Sequence, residues 1–179
     1  MSAPRPGDER RVPLPSYEGE WSALKAGKDK RVQKLLAEAS VEVRKSPQPT
    51  WLEPMLATLA HRHFSRAGWL FEPKYDGIRC LAFREGANVC LYSRNHHSAN
   101  SANPEVVRSL EEQGPASFIM DGEIVAFDGD RTSFEKLQQR MQVRQPSASL
   151  QSQVPVCFCV FDLPCLEGFD LRRVPLRLR

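Results

Sequence analysis

The amino-acid sequence predicts an α+β domain built on antiparallel sheet, and three observations predict it. Short apolar, β-leaning runs recur between residues 69 and 163, bounded by Gly, Asn or Asp. Two of them flank Glu85-Gly86-Ala87-Asn88, a tight-turn tetrapeptide that pairs its neighbours antiparallel. Helical stretches with recognisable starts stand among these strands.

Taken in order, residues 1–15 are Pro-rich and charged, a composition expected to stay disordered. From Lys30 to Lys45, Val32, Leu35, Leu36 and Ala39 recur at helical spacing with basic residues between them, which predicts an amphipathic helix. That helix either touches DNA phosphates or packs one face on the domain. Two units follow, an extension over 1–50 and a globular part over 51–179. Trp69-Leu70-Phe71 reads as a short buried strand and Asp76-Gly77 as a turn, so the lysine between them is expected at a strand-to-strand turn. Strands are predicted at 78–84 and 89–93, then a helix capped by Asn103 with Pro104 first and Val106, Val107 and Leu110 as its buried stripe. Further strands are predicted at 118–121 and 123–127, with a turn at Asp128-Gly129-Asp130. Thr132 and Glu135 form a capping-box pattern ahead of a helix whose Phe134, Leu137 and Met141 share a face. Residues 145–153 read as a surface loop, and 156–163 as a strand ending at Leu163 before Pro164.

Composition sets limits on function. With 179 residues, 41% hydrophobic and 26% charged, the chain can bury one core. No apolar run approaches the ~18 to 20 residues that span a bilayer and the N-terminus has no apolar signal core, so a cytoplasmic protein without a membrane partner is expected. The five cysteines are an odd number, and Cys80, Cys90, Cys157 and Cys159 fall in strand-like runs, as expected of small buried hydrophobes in a reducing compartment. Cys157 and Cys159 point to one strand face but lack a second pair at zinc-site spacing, and His61, His63, His96 and His97 likewise lack further ligands. The formal net charge of +3 lies wholly in residues 1–50, with ten Lys and Arg against seven Asp and Glu.

Chemistry concentrates at Glu72-Pro73-Lys74-Tyr75-Asp76-Gly77-Ile78-Arg79. Lys74 is the candidate covalent nucleophile. A lysine amine is protonated near its ordinary pKa of about 10.4 and attacks only where desolvation or neighbouring positive charge lowers that value. Arg79 could supply such charge and hold a phosphate oxygen. Alone, a Lys-x-Asp-Gly reads equally as an exposed turn, and Asp76 as a residue that shapes it.

Along the chain follow Ser93-Arg94-Asn95, Asp121-Gly122-Glu123 and Phe161-Asp162. With Glu-x-Lys-x-Asp-Gly-x-Arg before them, these resemble in order motifs I, Ia, III and IIIa of the ATP-dependent DNA ligases. Pro54-Met55-Leu56-Ala57 and Gly68-Trp69-Leu70-Phe71 are similar to the start of the ligase domain in bacterial end-joining ligases. The resemblance covers roughly residues 51–179. It implies a nucleotidyltransferase (ATP-grasp-like) adenylation domain that takes ATP and Mg²⁺, acts on nicked or broken double-stranded DNA and serves DNA repair and recombination. It also implies that Lys74 attacks the ATP α-phosphate to give lysyl-AMP, and that Glu72 accepts from the adenine amino group. By the same resemblance Arg79 and Arg94 sit near the nucleotide and its phosphates, Glu123 contacts the ribose or a divalent metal, and Phe161 stacks on adenine.

Departures from the pattern matter as well. His96 follows Ser-Arg-Asn where the family usually has Gly, and Pro164-Cys165 replaces an apolar and aromatic pair. No segments resembling motifs IV and V follow, and Lys74 and Lys136 are the two lysines after residue 50. The expectation is therefore an adenylation domain incomplete at its C-terminus, unable to seal nicks alone and marginally stable without a complementing C-terminal ligase segment. A non-catalytic remnant that binds nucleotide or DNA stays open, as does an RNA ligase or capping-type enzyme, which shares the lysine.

Overall fold

A computed structural model describes residues 45–62 and 64–179, together with Ala37 and Val43. The disordered segment expected at 1–15 and nearly all of the helix expected from Lys30 to Lys45 lie outside the described residues.

The apolar runs assemble into one curled antiparallel sheet. In chain order the elements are β1 (Ile78–Glu85), β2 (Asn88–Ser93), α1 (Pro104–Glu111), β3 (Ser117–Asp128), β4 (Arg131–Thr132), α2 (Phe134–Met141), α3 (Ala148–Gln153), β5 (Val156–Leu166), β6 (Phe169–Asp170) and a 3₁₀ turn at Leu176–Leu178. The sheet order is β2-β1-β3-β5-β6, with β4 paired to β3. The hairpin forms where expected: Glu85 pairs with Asn88, and Gly86 takes the positive φ of 60° that the tight turn needs.

Strand alternation divides the core. Cys80 and Ala82 of β1 face α1, α2 and the end of α3, in a cluster with Leu91, Val106, Leu110, Phe118, Ile124 and Leu137. Leu81 and Phe83 face the other way, packing with Ile119 and Cys165 beneath Trp51 and Leu52. Because both faces are covered, β1 reads as a continuous apolar run instead of an alternating one. Upstream of residue 51, Ser46 N–H donates to Gly168 O at 2.9 Å and Gln48 Nε2 to Arg84 O at 3.0 Å, which ties residues 45–48 to the sheet.

Several local expectations are corrected. Trp69-Leu70-Phe71 is not a strand: the run is exposed, and β1, the strand that follows it, already has neighbours on both sides in β2 and β3. The two strands expected at 118–121 and 123–127 are one, β3, since Gly122 is there for close approach and not for a break. A Cβ at Gly122 would stand 2.5 Å from Cys159 O. Asn103 precedes α1, but its side chain donates to Ala99 O at 3.0 Å and makes no cap. Helix α2 is capped by Ser133, whose Oγ accepts from Lys136 N–H at 3.2 Å, one residue later than the Thr132 pattern. Met141 of its expected apolar face is exposed. The loop expected at 145–153 contains α3, started by Ser147 accepting from Leu150 N–H while Leu150 packs on the core. Strand β5 runs through Pro164 to Leu166, because Pro164 falls at a register shift against β3, where no ladder N–H is required.

Of the cysteines expected to be buried, Cys80 is, Cys90 and Cys159 are half-buried, and Cys157 is exposed. The outer edge of β5 carries β6 only at Cys165 and Leu166, so among the described residues nothing pairs beyond Cys157. All five thiols are free; burial pushes Cys80 up to about 12 and Cys165 to about 11.

Candidate active site

Register brings the motif residues of three strands together. Arg79 of β1 stands opposite Glu123 of β3, and Glu123 opposite Cys159 of β5, so the three side chains form a row on one sheet face. Asp121, two residues from Glu123, shares that face. Phe161 and Asp162 enter by a different device. Asp121 pairs with Asp162 but Gly122 with Val160, which leaves Phe161 as the extra residue of a bulge. A regular strand would send Phe161 and Asp162 to opposite faces; here both line one cavity.

That cavity, of about 630 Å³, is lined by Arg79, Asp121, Phe161 and Asp162 from the sheet, by Glu72, and by Leu52, Glu53, Met55, Leu56 and Ala57 together with the C-terminal segment. Its size lies within the range of ordinary small-molecule sites. Arg79 is held firmly in it. Its Nε and Nη2 donate to the two Asp121 carboxylate oxygens at 3.0 and 2.6 Å, its Nη1 donates to Met55 O at 2.6 Å, and its guanidinium lies 5.5 Å from the centre of the Phe161 ring. The bond to Asp121 raises the Arg79 pKa further above its ordinary value, against the effect of burial. Asp162 in turn pairs with Arg179.

The loop bearing Lys74 is fastened to the start of α2 and pressed on β3. Tyr75 lies close to Cys159, and burial first, then Cys159 and Glu72, raise the tyrosine pKa. Asp76 accepts from Phe134 N–H at 3.3 Å, and its own N–H donates to Thr132 Oγ1 at 3.2 Å, so it shapes the loop by binding it to the start of α2. Gly77 presses on β3. A Cβ there would lie 2.3 Å from Ile124 O, so contact rather than a turn selects glycine. Gly77→Ala is expected to destabilise the fold by about 1–3 kcal/mol and displace Lys74, since backbone must move; equal urea midpoints for variant and parent would refute it.

Glu123 is half-buried beside this loop. Burial pushes its carboxyl above the usual carboxylate range, while Arg79, the nearby Gly77 backbone amide and the Lys74 charge act in the opposite direction. A carboxyl with a raised folded pKa makes the fold less stable as pH climbs from its unfolded value towards its folded one. Glu123→Gln should therefore raise the thermal midpoint at pH 7 and lose that advantage in acid below the unfolded pKa; a midpoint gain that is independent of pH would contradict the assignment.

Of the six residues expected at the site, Glu72, Arg79 and Phe161 line the cavity. Glu123 sits directly across the strands from Arg79, and Lys74, exposed, lies near enough for its charge to act on Glu123. Arg94 stands apart, exposed in the turn after β2, with no ion pair among the described residues. That turn forms despite the missing glycine. His96 adopts φ 62° and its ring stacks on Trp51 at 3.9 Å, and His96 N–H donates to Ser93 O at 2.9 Å. Sequence reasoning gave no role to Asp121, to the Asp162–Arg179 pair or to Cys159. Arg79 and Asp121 are 42 positions apart, and only strand register joins them.

The family model for the ATP-dependent DNA ligase domain matches residues 54–179. The chain belongs to this family. It is 36% identical over 137 residues to DNA ligase C1 of Mycolicibacterium smegmatis, covering 72% of this chain and 38% of that protein. It is 34% identical over 136 residues to the multifunctional non-homologous end joining protein LigD of Pseudomonas aeruginosa, covering 75% of this chain and 15% of that protein. The chain thus spans well under half the length of these curated relatives. A solved mycobacterial DNA ligase D, complexed with ATP and MES, aligns at 28% identity and a TM-score of 0.45 over 54% of this chain and 29% of that one. No helix among the described residues is long and apolar enough to cross a membrane.

Proposed function

We propose that this chain carries the lysine-adenylating site of an ATP-dependent DNA ligase. The observation that supports this most is that Glu72, two residues before Lys74, lines one cavity with Arg79 and Phe161, in a member of this family. In this reading the deprotonated Lys74 amine attacks the ATP α-phosphate. A nitrogen–phosphorus bond forms, the bond to pyrophosphate breaks and the second amine proton passes to solvent. AMP then moves to the 5′-phosphate of nicked or broken DNA. Phe161 gives the base a face to stack on and Glu72 accepts from its amino group, while Arg79, fixed by Asp121, serves the sugar side of the cavity instead of roaming to the phosphates.

Arg94 would reach the phosphates only by movement of its turn. Mg²⁺ would neutralise the triphosphate, held by Glu123 and phosphate oxygens. Mg²⁺ is commonly bound by one or two carboxylates plus substrate phosphates, the arrangement proposed here. A complementing ligase segment would supply the remaining phosphate-binding charge, and the setting is cytoplasmic DNA repair. The second reading, a nucleotide-binding protein without transfer, draws on the isolation of Arg94 and the engagement of Arg79 by Asp121.

Base selection tests the proposal. With label at the α-phosphate, the protein should acquire covalent AMP, and GTP should compete poorly. Glu72→Gln, which adds a donor, should weaken the preference for ATP; unchanged competition would remove Glu72 from base recognition, and nucleotide binding without any adduct would favour the second reading.

A further inference from the structure

Residues 51–57 supply Leu52, Glu53, Met55, Leu56 and Ala57 to the lining of the cavity, yet no ladder holds them. They belong to no helix or strand and, among the described residues, make no backbone–backbone hydrogen bond, so side chains set their position. One anchor is Arg79, whose Nη1 donates to Met55 O at 2.6 Å. The other is Trp51. Its ring lies nearly parallel to Phe83 at 6.0 Å and to His96 at 3.9 Å, with Tyr92 edge-on at 6.0 Å. Trp51 Nε1 donates to Glu53 Oε1 at 2.7 Å, which carries the anchor into the cavity lining.

His96 holds a strained place in this arrangement. Its φ of 62° is one that a Cβ disfavours and glycine adopts freely. Backbone closes its turn, with Ser93 N–H donating to His97 O and His96 N–H to Ser93 O, both at 2.9 Å, and neither bond needs a particular side chain at position 96. What the imidazole adds is its face on Trp51, and that contact offsets the strain. We infer that His96 is a positioning residue of the nucleotide site: its ring, stacked on Trp51, fixes residues 51–57 and joins them to the turn that carries Arg94. A segment freed from this stack takes the Met55 acceptor away from Arg79. The effect then reaches Phe161, because the Arg79 guanidinium lies 5.5 Å from that ring. This inference rests on the proposed nucleotide site.

His96→Gly, His96→Ala and His96→Phe are compared with the parent in ATP binding by calorimetry without divalent cation, so that no adduct accumulates, and in AMP labelling with Mg²⁺. Glycine removes the ring but relieves the strained φ. Its thermal midpoint should therefore stay near the parent's while ATP affinity falls about threefold to tenfold. Alanine should lose both affinity and stability, and phenylalanine, which keeps a face for Trp51, should retain the parent's affinity. At saturating ATP the labelling rate of His96→Gly should stay within about twofold of the parent's, since the ring acts on binding and not on transfer. Trp21→Phe with Trp69→Phe leaves Trp51 as the one tryptophan, and acrylamide should quench it more readily when His96→Gly is added. Parent-like ATP affinity in His96→Gly would overturn the inference, as would equal losses in His96→Gly and His96→Phe. A midpoint that falls with the affinity in His96→Gly would make the histidine structural only, and would overturn it too. A parent that binds no ATP would remove the nucleotide site and this inference together; binding without labelling would remove the transfer step alone and leave the inference supported by the affinities.

Discussion

Lys74→Ala and Lys74→Arg are both expected to abolish covalent AMP labelling of the protein by ATP and Mg²⁺. The alanine removes the nitrogen. The arginine keeps the positive charge and most of the length, but a guanidinium stays protonated at any pH the protein survives and has no free electron pair to attack phosphorus. Loss in both variants therefore separates nucleophile from charge, because a lysine that only attracted phosphates would leave arginine partly active. The adduct should resist base and break in acid, as expected of a phosphoramidate, and peptide mass spectrometry should place it on Lys74. Lys136, the other lysine beyond residue 50, sits on α2 near Asp128, at 3.7 Å. An adduct on Lys136, or parental labelling of the Lys74→Arg variant, would end the assignment.

Arg140→Ala is expected to cost about 3–5 kcal/mol of stability, the largest structural effect of a single charged residue here. Arg140 is 3% exposed at the end of α2 and joins three elements. It forms an ion pair with Glu105 in the first turn of α1, donates from Nη1 to Val154 O at 3.0 Å beyond α3, and donates from Nη2 to Ala102 O at 2.9 Å. Truncation leaves two carbonyls and a half-buried carboxylate without their donors, and opens a void beside Leu137 and Val154. Arg140→Met fills that volume and should lose less, since Glu105 has partial access to water. Urea unfolding of both variants measures this. A loss below about 0.5 kcal/mol for the alanine would mean that water replaces every bond.

The sequence determined by itself those features that depend on neighbours along the chain. The hairpin at Gly86 was legible because two residues must reverse the strand and a glycine supplies the positive φ, and α1 and α2 were legible because Pro104 and the apolar spacing act within a few turns. The order of the motifs singled out Glu72, Lys74, Arg79, Arg94, Glu123 and Phe161 as candidates, since the types of residue that chemistry needs are written in the chain. What only the tertiary structure decided are contacts between distant strands. Gly77 and Gly122 look like turn residues in the sequence, yet each is demanded by backbone on another strand, Ile124 and Cys159. Trp69-Leu70-Phe71 has the composition of a strand, but among the described residues no strand of the sheet pairs with it, and composition alone does not form a ladder. The bulge that turns Phe161 and Asp162 into the same cavity, and the register that fastens Arg79 to Asp121, arise from β5 and β1 packing on β3. Pairing energy is gained between strands and not along them, so no local pattern records which residues will meet.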